Sequence, residues 1–186
     1  MFFCFINKTK QRMLFLYKTI YGLVIFGAGI IPFSKVNNKL VYLLGKDNLS
    51  QKWCDFGGKS EKYETLLDTA AREGYEELNG LLGSKEYIKK QLIATNLPII
   101  KTNNQRHSCY LMRIKYDKNL PLYINNNIKF INKHVPNIVG RNGLYEKSKV
   151  QWFSHEQLIN FTEFRDYFTE IVWNLDKKYN KLLEND

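Results

Sequence analysis

Glu73, Glu76 and Glu77 stand at i, i+3 and i+4, the spacing that brings three carboxylates to neighbouring positions on one face of an α-helix. Like charges so placed destabilise a helix by about 0.2–0.5 kcal/mol per pair. They also crowd toward its C-terminal end, where the helix dipole disfavours negative charge. Such a cluster calls for full hydration or for a cation. Hard oxygen donors suit Mg²⁺ or Mn²⁺, ions that keep several waters and share the phosphate oxygens of a substrate. Arg72 lies four residues after Asp68 and eight after Glu64. A guanidinium fork there could pair with Glu64 in two-pronged fashion and fix the preceding loop to the helix, which a lysine does poorly. Taken alone, an acidic helix face is most often merely solvated.

The elements around this face follow from local patterns. Gly27 to Ser34 and Leu40 to Gly45 read as two strands joined by an Asn37-Asn38 turn. Leu49 to Lys59 reads as a loop closing on Gly57-Gly58, and a helix is predicted over Tyr63–Leu78 with Ala70, Ala71 and Leu78 buried. Gly74 costs that helix about 1 kcal/mol relative to alanine, a cost that close packing on a sheet would offset. Asn79-Gly80 stops it. A short helix near Lys85–Ala94, strands around Ile99–Lys101 and Ser108–Tyr116, and a strand at Lys149–Phe153 follow. Pro121 to Gly143 is rich in Asn with little periodicity and reads as a long loop or insertion within 117–143. A last helix over 164–183 carries Phe168, Ile171, Val172, Leu175, Tyr179 and Leu182 on one face, as a structural lid on the core would.

Gly58, Glu64, Arg72-Glu73 and Glu76-Glu77 together match the pattern G-x5-E-x7-R-E-U-x-E-E-x-G-U, where U is a bulky aliphatic residue. This resembles the box of the Nudix hydrolase superfamily. The two strands before it, Trp53 ahead of the glycines, and Glu146 ahead of Trp152 are similar to that family as well. The resemblance covers about residues 20–160 and is weakest over 85–143. Gly74, Asn79 and Gly80 depart from the pattern, and Phe56 replaces the usual proline. No carboxylate is lost, so the departures bear on local packing and substrate class.

The resemblance implies an α/β/α sandwich with a mixed sheet, spanning 20–186 after an N-terminal extension or leading strand at 1–19. It implies Mg²⁺-dependent hydrolysis (Mn²⁺ as substitute) of a pyrophosphate bond in a nucleoside diphosphate derivative. Carried over residue by residue, Glu73, Glu76 and Glu77 become metal ligands, with the Gly58 carbonyl completing the shell. Glu64 and Arg72 orient loop and helix. The general base stays open among Glu73, Glu76 and Glu146. Lys46 and Lys59 flank the phosphate region and could steer an anion; solvated lysines are equally ordinary. Tyr21, Tyr110 and Phe153 could stack a base or simply fill the core, and Cys54, with no His or basic neighbour in sequence, is not proposed as a nucleophile.

The chain of 186 residues carries 28 Lys+Arg against 18 Asp+Glu, a net charge of +10. That balance suits polyanionic partners, with coding bias toward Lys, Asn and Ile as the alternative cause. Capped mRNA or diphosphoinositol phosphates are therefore alternative substrates, RNA an alternative partner, and a non-catalytic nucleotide-binding protein a third reading. Three scattered cysteines argue against a disulfide framework and for a reducing, cytoplasmic setting. The uncharged run from Thr19 to Phe33 falls short of the roughly 20 apolar residues a membrane span needs and contains glycines and Pro32. It reads as a buried strand, with targeting or anchoring as the alternative. Oligomeric state is not legible.

Overall fold

The computed structural model describes residues 26–184. The expected extension at 1–19, Tyr21 and the first part of the apolar run lie outside the described residues. The remainder of that run begins strand β1 (Gly27–Val36), whose first eight residues are all buried. Among the described residues, no helix is long and apolar enough to cross a membrane.

Strand β2 (Lys39–Asp47) pairs antiparallel with the second half of β1 through Asn37 and Asn38. Both turn residues have positive φ, 48° and 60°, the conformation that a two-residue hairpin of this hand requires and that asparagine tolerates. The segment expected as a loop over Leu49–Lys59 is a turn only in its first part; its later residues join the sheet. Strands β3 (Trp53–Cys54) and β4 (Phe56–Lys59) pair with β2 and with the first half of β1, respectively. Short strands with glycines give little sequence signal. β5 (Ile100–Lys101) and β6 (His107–Arg113) form a further antiparallel pair, and β6 lies parallel to β1. β7 (Lys147–Ser154) closes on β2, completing a mixed seven-stranded sheet.

Two cores flank the sheet. On one face lie helix α1 (Leu66–Glu77) and α2 (Lys85–Ala94), together with α3 (Leu120–His134). On the other lie α4 (His155–Asn160), α5 (Asp166–Asp176) and α6 (Tyr179–Glu184). α3 corrects the reading of Pro121–Gly143 as a loop. Ile124, Ile128 and Ile131 keep a helical stripe that the asparagines between them obscure, and Pro121 sits in the first turn, where it needs no backbone donor. The C-terminal helix is likewise two helices, separated at Lys177-Lys178, though Phe168, Ile171, Val172, Leu175 and Leu182 are all buried as the stripe implied.

Candidate functional site

α1 starts three residues later than periodicity suggested, because Thr65 caps it. The Thr65 hydroxyl accepts from the Asp68 backbone N–H while the Asp68 carboxylate accepts from the Thr65 N–H. Ala70, Ala71 and Gly74 then pack on β1. A Cβ at Gly74 would come within 2.5 Å of Ile30 Cδ1, so an isoleucine of the strand fills the space where the family pattern has an aliphatic side chain on the helix. Asn79 ends the helix at φ 54° and its Oδ1 accepts from the Tyr145 backbone N–H at 3.1 Å, tying the helix end to the segment that carries Glu146.

Arg72 is the hub of the acidic face. Its Nε and Nη2 donate to the two oxygens of Glu64 at 2.7 and 3.0 Å, Nη2 also reaches the Lys59 carbonyl at 2.9 Å, and Nη1 bridges Glu73 and Glu76 at 2.8 and 3.0 Å. The Arg72 hydrogen bonds hold the Glu64 carboxyl at about 2, below the usual carboxylate range. Glu76 accepts a second cation, Lys85 Nζ, at 2.8 Å. Glu73 differs. Burial pushes its carboxyl up, Glu76 and Glu146 add to the rise, and only one of its oxygens is hydrogen-bonded. Glu73 lies on bare backbone, since a Cβ at Gly58 would fall 2.4 Å from Glu73 Oε1.

Glu77 points inward and is only 3% exposed. One oxygen accepts the Gly57 N–H at 2.7 Å and the other pairs at 3.0 Å with Lys147, itself 1% exposed. Burial works against the Lys147 charge, yet the attraction of Glu77 outweighs it and the ammonium holds its proton more tightly than usual. Burial pushes the Glu77 carboxyl up, and the Lys147 charge works against that rise. Lys147 was not singled out in the sequence; its lysine type and its place next to Glu146 gave no hint of burial. It also donates to Cys54 Sγ at 3.2 Å, so Cys54 does have a basic neighbour, but burial raises the thiol and keeps it inert.

The ladder fixes which carbonyls face the helix. Ser60 N–H bonds to the Phe26 carbonyl and Gly27 N–H to the Arg106 carbonyl. By alternation, Ala28 and Gly58 form a hydrogen-bonded pair and the Gly58 carbonyl turns into the sheet, whereas the carbonyls of Gly57 and Lys59 turn away from β1. Arg72 gathers Glu64, Glu73 and Glu76, with Glu146 close enough to act on Glu73, while Glu77 turns inward to Lys147 and the Gly57 N–H; no three of these carboxylates bring oxygens within 4.8 Å of one another. Lys59 is exposed nearby, and Lys46 lies in β2 beside Trp53, away from this group. Phe153 is core, and Tyr110 is half-buried against the α1-side core.

Past the same glycines, on the opposite face of the sheet, a cavity of about 370 Å³ opens. Gly27, Gly58, Lys59, Arg106, His107 and Arg165 line it, together with Thr102, Tyr167 and others. Its size falls in the range of about 300–1,000 Å³ usual for small-molecule sites. Beneath it lies Asp55, fully buried, whose carboxylate accepts from His107 Nε2 at 2.8 Å, Cys109 Sγ at 2.9 Å and Tyr167 O–H at 2.6 Å. Burial alone would raise Asp55, but the His107 charge and these three donors carry it below the ordinary range. Asp55, His107 and Cys109 are the one set of potential metal donors that lie mutually within 4.8 Å among the described residues. Each is already engaged in this hydrogen-bonded hub.

The seven-stranded mixed sheet with α1 on one face recurs in solved structures. The Ap4A hydrolase of C. elegans superposes with a TM-score of 0.51, covering 86% of this chain and 99% of that chain at 18% identity. A binary complex of a C. elegans Ap4A hydrolase gives 0.50, with 84% and 98% covered at 16% identity. The chain has the Nudix fold. No protein-family model matches the chain, and no curated protein sequence matches it either. Within the Nudix fold, the box helix, the glycine edge and the cavity are contiguous, and the basic groups gather on the cavity side of the glycines.

Proposed function

We propose that the protein is a Mg²⁺-dependent hydrolase of a pyrophosphate bond in a nucleoside diphosphate derivative. The observation that carries this reading is the Arg72-centred cluster of Glu64, Glu73 and Glu76 above inward-facing Glu77, set against the bare glycine edge of β4. The chemistry of the donor set suits a hard divalent ion: carboxylate oxygens on one helix face, held here by Arg72, Lys85 and Lys147, and a backbone that leaves room for Glu73. Glu73, Glu76 and Glu77 would hold it, with the Gly57 carbonyl in place of the Gly58 carbonyl, which the ladder engages. Two bonds to Glu77 leave lone pairs on its oxygens, and Lys147 and the Gly57 N–H orient them. When bound, such an ion neutralises phosphate charge and lowers the pKa of water.

The chain's own residues supply the rest. Arg72 locks the loop at Lys59 to the helix and keeps Glu64 and Glu76 in place. Glu73, with a raised carboxyl and an unbonded oxygen, is the proton acceptor for the attacking water, ahead of Glu76, whose oxygens are both held by cations. Exposed Glu146 acts on Glu73 through its charge. Lys59 and Arg106 have no side-chain partner among the described residues and are placed to receive the substrate's further phosphates. Lys46 contributes to the general field.

A second reading, cleavage of capped RNA or of diphosphoinositol phosphates, draws on the net charge of +10 and on Lys129, Lys133, His134 and Arg141 in and after α3. The test is phosphate release from a panel of nucleotides, ADP-ribose, diadenosine polyphosphate and capped RNA at two salt concentrations, with and without Mg²⁺, for wild type and Glu76→Gln. Turnover of small nucleotides that needs Mg²⁺, resists salt and falls at least a hundredfold in Glu76→Gln supports the first reading. Equal rates in the two proteins would support a non-catalytic binding protein.

A further inference from the structure

The walls of the cavity past Gly58 limit what it can hold. Among the described residues its lining has no aliphatic side chain, and Tyr167 supplies its one phenol ring. That ring is already engaged. The Arg165 guanidinium lies 5.3 Å from its centroid, the His107 ring centroid lies 4.5 Å away, and its hydroxyl donates to Asp55 at 2.6 Å. A nucleobase draws its affinity from apolar walls and free ring faces, and this cavity offers little of either. Its guest is polar.

The charges say which kind. Lys59 ends β4, Arg106 precedes β6 and Arg165 precedes α5, so three cations from three elements meet the single lining carboxylate, Glu170. One oxygen of Glu170 already accepts the Asn103 backbone N–H at 2.8 Å. Arg165 Nη1 stands 3.9 Å from Asp47 Oδ2, beyond hydrogen-bond reach. Asn104 gives its Oδ1 to the Thr102 hydroxyl and the Arg106 N–H, which leaves its amide N–H groups as further donors. A phosphate, with several acceptor oxygens, is the complement of such a wall. Neutral hydroxyls suit the remainder: they accept from Asn104 and donate to the second Glu170 oxygen.

We propose that the cavity is the subsite for a phosphorylated sugar, with Arg106 and Arg165 as the specificity-determining residues that hold its phosphate. The substrate class is then a diphosphate ester in which a sugar phosphate, and not a base, enters the cavity. This rests on the function proposed above only for placing the scissile diphosphate at the glycine edge between cavity and acidic helix. The choice of guest comes from the cavity walls.

The probes are 5-phosphoribosyl 1-diphosphate and ADP. Each is a ribose diphosphate; at the far end of the ribose the first carries a phosphate where the second carries adenine. Affinities are measured by calorimetry in EDTA, which keeps metal-dependent hydrolysis out of the result. Wild type should bind the phosphoribosyl compound at least tenfold more tightly than ADP. Arg106→Gln and Arg165→Gln should each lower that preference at least fivefold, with ADP affinity little changed. Arg106 has no side-chain partner to lose, so its variant keeps the fold. Lys90→Gln removes one exposed charge on α2, across the sheet, and should leave the preference intact. Equal or tighter binding of ADP, binding of neither compound, or a preference that survives both arginine variants would overturn the inference. So would a loss of preference in Lys90→Gln equal to theirs, the mark of a general field. A protein that selects the sugar phosphate yet hydrolyses nothing would overturn the proposed function and leave this inference standing. Mg²⁺-dependent hydrolysis by a protein that prefers ADP would do the reverse.

Discussion

Replacing Lys147 with methionine removes one charge of a buried pair while keeping most of the side-chain volume. Glu77 is then left with the Gly57 N–H alone, in a site 3% exposed. The protein must keep an uncompensated buried carboxylate or protonate it. Protonation caps the penalty: from an ordinary glutamate pKa of about 4.3 to pH 7 is about 2.7 pH units at 1.36 kcal/mol each, about 3.7 kcal/mol. This agrees with the roughly 3–5 kcal/mol lost when one partner of a buried pair is removed. At pH 5 the same reasoning leaves about 1 kcal/mol. The sign follows because the variant's folded state holds Glu77 protonated above the pKa of the unfolded chain, so its stability declines as pH rises from about 4.3. Urea unfolding in EDTA measures it. With a slope near 2 kcal/mol/M, the midpoint of Lys147→Met should fall by about 2 M at pH 7 and by about 0.5 M at pH 5. Adding Glu77→Gln should recover most of the loss. A defect of equal size at both pH values, or one under about 1 kcal/mol at pH 7, would refute the buried ion pair.

Arg72→Lys should cut hydrolytic turnover at least tenfold while changing nucleotide affinity less. A lysine cannot bond Glu64 in two-pronged fashion and also reach the Lys59 carbonyl, Glu73 and Glu76; steady-state kinetics separate the two effects. Gly58→Ala pushes a methyl to within 2.4 Å of Glu73 Oε1, so turnover should collapse with only a modest change in the urea midpoint. Glu64 has its carboxyl held near 2 by Arg72, so it contributes stability that is present above about pH 4.3 and lost as pH falls toward 2. Acid unfolding of Glu64→Gln should accordingly show a shallower pH dependence than wild type over that window.

The acidic helix was legible because its signal is a spacing of charged residues, and spacing survives departures such as Gly74 and Asn79. The two strands before it and the buried stripe of α5 were legible for the same reason. β3 and β4 were not: four residues containing two glycines carry no alternation, and their strand character comes from β1 and β2 beside them. α3 was hidden because asparagines dilute a stripe of three isoleucines. The hub at Asp55 was out of reach, since Asp55, His107 and Tyr167 are distant in sequence and meet only across the sheet. Lys147 illustrates the limit most clearly. A lysine in a basic chain reads as surface, and only the Gly45 backbone passing under its stem, where a Cβ would meet Lys147 Cδ and Cγ at 2.8 Å, makes room for it inside.

The most direct test is a titration of Mn²⁺ followed by electron paramagnetic resonance, in the presence of a non-hydrolysable nucleoside diphosphate analogue. Wild type should take up the ion in a broadened, bound signal, and Glu73→Gln and Glu76→Gln should each weaken that uptake at least tenfold. Free-ion spectra in wild type, or uptake indifferent to both substitutions, would contradict a divalent site on the acidic helix.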